Sequence, residues 1–219
     1  YRNAWQEMPV IWRFSLPALG SGIMVAPVFW LCYTMLAKST SGMAEVGIFE
    51  AARQIQLAVA FIPSAISHVT LPILVRSNTS QNAGEYDKAI KYNLLLNVCS
   101  AVAIAIPIMV FSKWIMSTYG KGFEEGTMTL CILVVASVIY VTNNILGQIL
   151  ASLEKMWLGF LFNAIWAVVF LAACYISLFH WKQGAIGAAS SLLFAYFCHS
   201  VWQGGYYLYY RSSQRQING

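Results

Sequence analysis

Six long apolar stretches, at roughly 14–37, 46–75, 90–112, 127–152, 157–180 and 185–210, follow one another with only short polar segments between them. Each is long enough to cross a bilayer, because a helix rising 1.5 Å per residue needs about 20 apolar residues for a hydrocarbon core about 30 Å thick. A soluble core can hide one or two such runs. It cannot hide six that fill most of 219 residues. Only 10% of the residues are charged, against about 25% in ordinary soluble domains, and the mean hydropathy is +0.63. The pattern predicts an all-α integral membrane protein, a bundle of six transmembrane helices occupying residues 1–219.

The chain starts at Tyr1, and YRNAWQEMPVIW lacks the basic start, apolar middle and small-residue cleavage site of a signal peptide. It therefore reads as part of a longer parent. The net charge of +5 comes from thirteen basic residues scattered along the chain, which argues against nucleic acid as a partner. Their sidedness says more. With a cytoplasmic N-terminus, Arg2, Arg13, Arg76, Lys88, Lys91, Lys155, Arg211 and Arg215 fall inside, and Lys38, Lys113, Lys121 and Lys182 fall outside. The positive-inside rule then predicts that both termini are cytoplasmic. Cys32, Cys99, Cys131, Cys174 and Cys198 occupy five different spans without a CxxC, so they read as small apolar packers. His68, His180 and His199 form no metal-binding motif.

Within the spans, Pro17 and Pro27 accompany Ala18, Gly20, Ser21 and Gly22, so close helix approach and a bend near Pro27 are expected. The second span is the longest and the most polar. Glu50, Arg53, Gln54, Leu57, Phe61, Ser64 and His68 recur on three- and four-residue steps, which puts a polar stripe with an ion pair along one face of a buried helix. A charge at mid-membrane costs at least about 2.5–3.5 kcal/mol, so such residues face a protein interior or a wet cavity. The fourth span adds Asn143, Asn144 and Gln148.

The runs WRFSLPALGSG, APVFW, GMAEVGIFEAARQ, LPILV and EYDKA, and then GKGFEEGTMTLCILVVASVIYVTNNILGQILASLEK, resemble bacterial polysaccharide and O-antigen flippases of the multidrug/oligosaccharidyl-lipid/polysaccharide export superfamily. The resemblance covers nearly the whole chain and is carried by many loosely fixed positions. It implies two six-helix lobes that rock about a central cavity, with this chain as the C-terminal lobe of a twelve-helix or larger transporter in the bacterial inner membrane. Its partners would be the N-terminal lobe, the bilayer and a polyprenyl-pyrophosphate-linked oligosaccharide. The resemblance implies no cofactor, and the coupling ion, a proton or sodium, is left open. A cation-coupled multidrug exporter of the same superfamily is the alternative.

Under that resemblance, Arg53 is a cavity cation for pyrophosphate or acidic sugar, because a guanidinium stays charged and grips two oxygens. The plainer reading is a structural pair with Glu50 three residues away. Glu50 is that neutralising partner or an ion-responsive gate. Gln54 can bond either charge or a sugar hydroxyl, and His68 can take up a proton. Asn143, Asn144 and Gln148 contact sugar hydroxyls or tie helices together. Trp30 and Trp166 are the aromatic residues deep enough to stack on sugar. A membrane enzyme would need a base or carboxylate cluster, and Glu85, Asp87, Glu124 and Glu125 read as solvated loop charges.

Overall fold

A computed structural model describes the backbone of residues 8–39, 42–79 and 83–218, and the side chains of these outside 68–79, 83–87 and 214–218. Among the described residues the protein is helical throughout, without strands. Helix α1 spans Met8–Ala37, α2 Gly42–Thr79, α3 Ala83–Val110 and the short α4 Ser112–Ser117. Helix α5 spans Thr127–Ser152, α6 Met156–Tyr175 and α7 Gly184–Asn218. Judged on the described residues, all the long helices except α2 are apolar enough over a sufficient length to cross a membrane. Helix α2, at 38 residues, carries the charges Glu45, Glu50 and Arg53 in its first four turns.

The six expected spans each correspond to one long helix, with the fourth matched end to end. Differences fall at the borders. The first helix begins before residue 14, and its irregular turn is a π-helical segment, Ile11–Ser15. Pro27 instead lies inside a continuous α-helix, Leu16–Ala37, where neighbouring helices, hydroxyl side chains or ordered water can satisfy the carbonyl that proline leaves unbonded. The third span stops at Val110, and the expected outer turn contains α4 and a 3₁₀ turn, Phe123–Gly126. A second π-helical turn, Ile176–His180, extends α6.

Packing follows the small and apolar residues. Helix α2 lies against α5 and α3, α5 against α7, and α6 against α7 and α1. On α7 the buried positions Ala185, Ala188, Ala189, Leu192, Ala195 and Tyr196 recur on the helical period and let α5 and α6 approach closely. Most large exposed apolar side chains lie on α1, α3 and α6, among them Leu19, Ile23, Leu95, Ile106 and Val168. A surface of this kind is matched to lipid rather than water.

One end of the bundle is closed by a polar clasp. The carboxylate of Glu45, in the first turns of α2, accepts a hydrogen bond of 2.7 Å from the backbone N–H of Ala185 at the start of α7. This answers one of the unpaired N–H groups of a helix start. Gly184 makes the approach possible. Its φ is +56°, and a Cβ there would stand 2.6 Å from the carboxylate carbon of Glu45.

Candidate functional site

The polar stripe of α2 is not buried within the bundle. Gln54, Leu57 and Phe61 are exposed, and Ser64 is half-buried. The opposite face, with Phe49, Ala52, Gln56, Val59, Ala60 and Ser67, is the one buried. The reason is steric: small side chains admit α5 and α3, which leaves the longer polar ones on the outside. His68 continues the stripe on the backbone, and its side chain lies outside the described residues. A polar, partly charged strip on the outside of a membrane bundle still needs a wet or protein neighbour.

Two aromatic residues of α1 meet that strip, and sequence reading passed over both. The Arg53 guanidinium lies over the ring of Phe29, 3.8 Å from its centroid, a cation–π arrangement. One turn further along α1, the Tyr33 hydroxyl donates to the Glu50 carboxylate. Glu50 and Arg53 themselves are 3.9 Å apart, beyond hydrogen-bonding distance. Arg53 makes no hydrogen bond among the described residues, and its Nε is buried without a partner. The Arg53 side chain is 18% exposed and that of Glu50 39%, so the pair lies at the rim of the bundle. The signal was the four-residue spacing of Phe29 and Tyr33, because a tyrosine at span depth needs a partner for its hydroxyl.

A continuous run of rings supports Arg53 from below. Phe29 contacts Phe170 at 5.6 Å and Trp166 at 6.4 Å, and Trp166 stacks on Tyr196 at 5.7 Å and 8°. Tyr196 in turn meets Tyr140 at 5.5 Å. Trp166 is therefore an internal packing residue rather than a platform open to sugar, whereas Trp30 is exposed.

The amides of α5 are used differently from one another. Asn143 is buried; its Nδ2 donates to the Tyr196 carbonyl at 3.0 Å, and its Oδ1 accepts from Ser200 at 2.5 Å. It ties α5 to α7, the interhelical one of the two uses that the sequence allowed it. Asn144 is half-buried, and Gln148 is buried with Oε1 unpartnered. A second polar knot, not anticipated, joins α2 to α3: Ser67 donates to Asn97 at 3.1 Å, and Asn97 donates to Asn93. Among the described residues no three His, Cys, Asp or Glu side chains come together to hold a metal.

No family model matches the chain. Its sequence is 28% identical over 205 residues to the EPS I polysaccharide export inner membrane protein EpsE of Ralstonia nicotianae, covering 93% of this chain and 46% of that protein. The EpsE of Ralstonia solanacearum is 26% identical over 208 residues, with the same coverage. The chain thus spans about half the length of the curated relatives it matches. In fold it is similar to a MATE transporter in complex with MaD3S, at a TM-score of 0.80 and 18% identity, covering 92% of this chain and 46% of that one. It is also similar to a MOP superfamily transporter from Pyrococcus furiosus, described as having a binding pocket of reverse polarity, at a TM-score of 0.75 and 18% identity, covering 88% and 43%. By sequence the chain is thus similar to polysaccharide export proteins, and in fold to transporters of the MOP superfamily, over about half the length of each.

Proposed function

We propose that this chain is the C-terminal lobe of a flippase that moves a polyprenyl-pyrophosphate-linked oligosaccharide, the repeat unit of a surface polysaccharide, across the bacterial inner membrane by alternating access. The observation that carries this reading is the unspent Arg53. It is a permanent cation on the rim of the bundle that donates no hydrogen bond among the described residues, and its Nε is buried without a partner. Such a group fits an anion that arrives from outside the lobe. Pyrophosphate offers pairs of oxygens that the planar fork of a guanidinium grips. The exposed Gln54 one helical position away can bond the adjoining sugar. The polysaccharide export named for the relatives supports the same substrate class. The polar strip of α2 faces the second lobe across the central cavity, as expected of carriers built from two halves. The eight-to-four bias of basic flanks puts both termini of the chain in the cytoplasm.

The test is glycan export per folded protein in a deletion strain carrying full-length variants. A charge-assisted contact is worth about 1.5–3 kcal/mol, so Arg53→Ala reduces export about 10- to 100-fold. Arg53→Lys retains part of it, because the charge survives and the fork does not. If Arg53 merely neutralises Glu50, removing both charges in Arg53→Ala with Glu50→Ala restores export, and parental export in that double variant would overturn the reading.

The second reading, a cation-coupled multidrug exporter, is favoured by the multidrug resistance MATE transporters among the fold neighbours, one in an outward-facing conformation at a TM-score of 0.79. It requires Glu50 to be the working charge. That carboxylate already accepts the Tyr33 hydroxyl, which leaves the free valence on Arg53.

A further inference from the structure

Glu50 and Arg53 stand three residues apart on one helix, where opposite charges ordinarily close on each other. They are held 3.9 Å apart, and each is engaged by a different aromatic residue of α1. Tyr33 donates its hydroxyl to Glu50 Oε2, the same oxygen that Arg53 approaches most closely. Phe29 offers its ring face to the guanidinium at 3.8 Å. Both rings are fixed from behind: Tyr33 by Phe49 at 5.9 Å, and Phe29 by Phe170 and Trp166. We infer that Tyr33 is a positioning residue that, with Phe29, keeps the Glu50 carboxylate off Arg53 and so leaves the guanidinium free for the anionic substrate.

The chemistry follows from what each group can offer. A carboxylate has two oxygens and about four acceptor sites, and a phenol is a single strong donor aimed at one of them. With the hydroxyl in place, Glu50 is satisfied without Arg53. A phenyl ring attracts a cation through its face but takes up none of its N–H donors. The guanidinium therefore keeps its charge stabilised and its hydrogen bonds unspent. Without the hydroxyl, the partly exposed Glu50 has only a short rotation to make before it bonds Arg53. The anion site then becomes a closed ion pair. The arrangement also makes the site responsive to α1, since any displacement of α1 along α2 withdraws both aromatic partners at once and lets the pair close.

This inference rests on Arg53 being the anion contact, so the experiment separates the two. Full-length protein in detergent is titrated with geranylgeranyl pyrophosphate, with geranylgeraniol as the uncharged control, and the melting temperature of each variant is recorded alongside. Tyr33→Phe keeps the ring and removes the donor. It is expected to weaken pyrophosphate binding about tenfold while leaving binding of the alcohol unchanged. Adding Glu50→Gln to Tyr33→Phe removes the charge that would capture Arg53, and binding is expected to return to within about twofold of the parent. A purely structural tyrosine predicts otherwise, because no change at Glu50 would rescue it. If Tyr33→Phe binds normally while Arg53→Ala does not, the positioning role is wrong and the anion site stands. Failure of Glu50→Gln to restore binding in folded protein overturns the inference as well. Normal binding by Arg53→Ala removes the reading beneath it.

Discussion

Single residues in this lobe are tolerated or excluded by what lies within a few ångströms of them. Arg53 survives at span depth because Phe29 covers one face of the guanidinium and Glu50 lies near it, which is a better bargain than contact with lipid. Gly184 is held to a stricter condition. Its φ of +56° is in the region that costs an L residue about 1–2 kcal/mol, and a Cβ would meet the Glu45 carboxylate at 2.6 Å. Gly184→Ala is accordingly expected to lower the melting temperature of the purified full-length protein and to break the Glu45 clasp. Glu45→Ala alone removes a helix-terminus contact worth about 0.3–1 kcal/mol, a smaller loss. In the double variant the two costs should fall short of additive, because the clash disappears with the carboxylate while the backbone strain remains. Fully additive losses would show that the clasp and the glycine act independently. Sequence periodicity identified Arg53, Glu50 and Gln54 as neighbours on one face. It missed Glu45 because the helix was expected to begin after it, and missed Tyr33 and Phe29 because their roles arise from another helix.

At the scale of elements, apolar length was enough to find every long helix, since hydrocarbon thickness sets a minimum that irregular segments cannot meet. Periodicity did not decide which face points where. The polar strip of α2 was expected to face a protein interior or a wet cavity, and it lies on the outside of this bundle, because the opposite face offers Ala52, Val59 and Ala60 to α5 and α3. The same ambiguity affected the amides of α5. Asn143 and Asn144 look equivalent in sequence, yet one is locked to Tyr196 and Ser200 of α7 and the other is half-buried. Asn143→Ala should therefore destabilise the α5–α7 seam by about 0.6 kcal/mol, and by no more than about 1.7 kcal/mol, as interhelical bonds in membranes do. Export per folded protein should be preserved. A loss of export without a fall in melting temperature would return Asn143 to the cavity.

For the whole molecule, orientation and lobe number are linked claims. Single cysteines introduced at Lys121 and Lys155, both exposed and at opposite ends of α5, into a cysteine-free full-length protein report the orientation. An impermeant thiol reagent applied to intact cells is expected to label position 121 and spare position 155. The reverse result would invert the topology. Residues 1–219 expressed alone in a deletion strain are expected to insert but not restore glycan export, because one lobe supplies one wall of the cavity; full rescue would refute the half-transporter account. The most direct measurement is translocation in vesicles reconstituted with the full-length protein, following a polyprenyl-pyrophosphate-linked oligosaccharide from one leaflet to the other beside a lipophilic cation. The account predicts that the parent protein moves the glycan lipid, that Arg53→Ala does not, and that neither moves the cation. Transport of the cation, with the glycan lipid moving no faster than in empty vesicles, would contradict it.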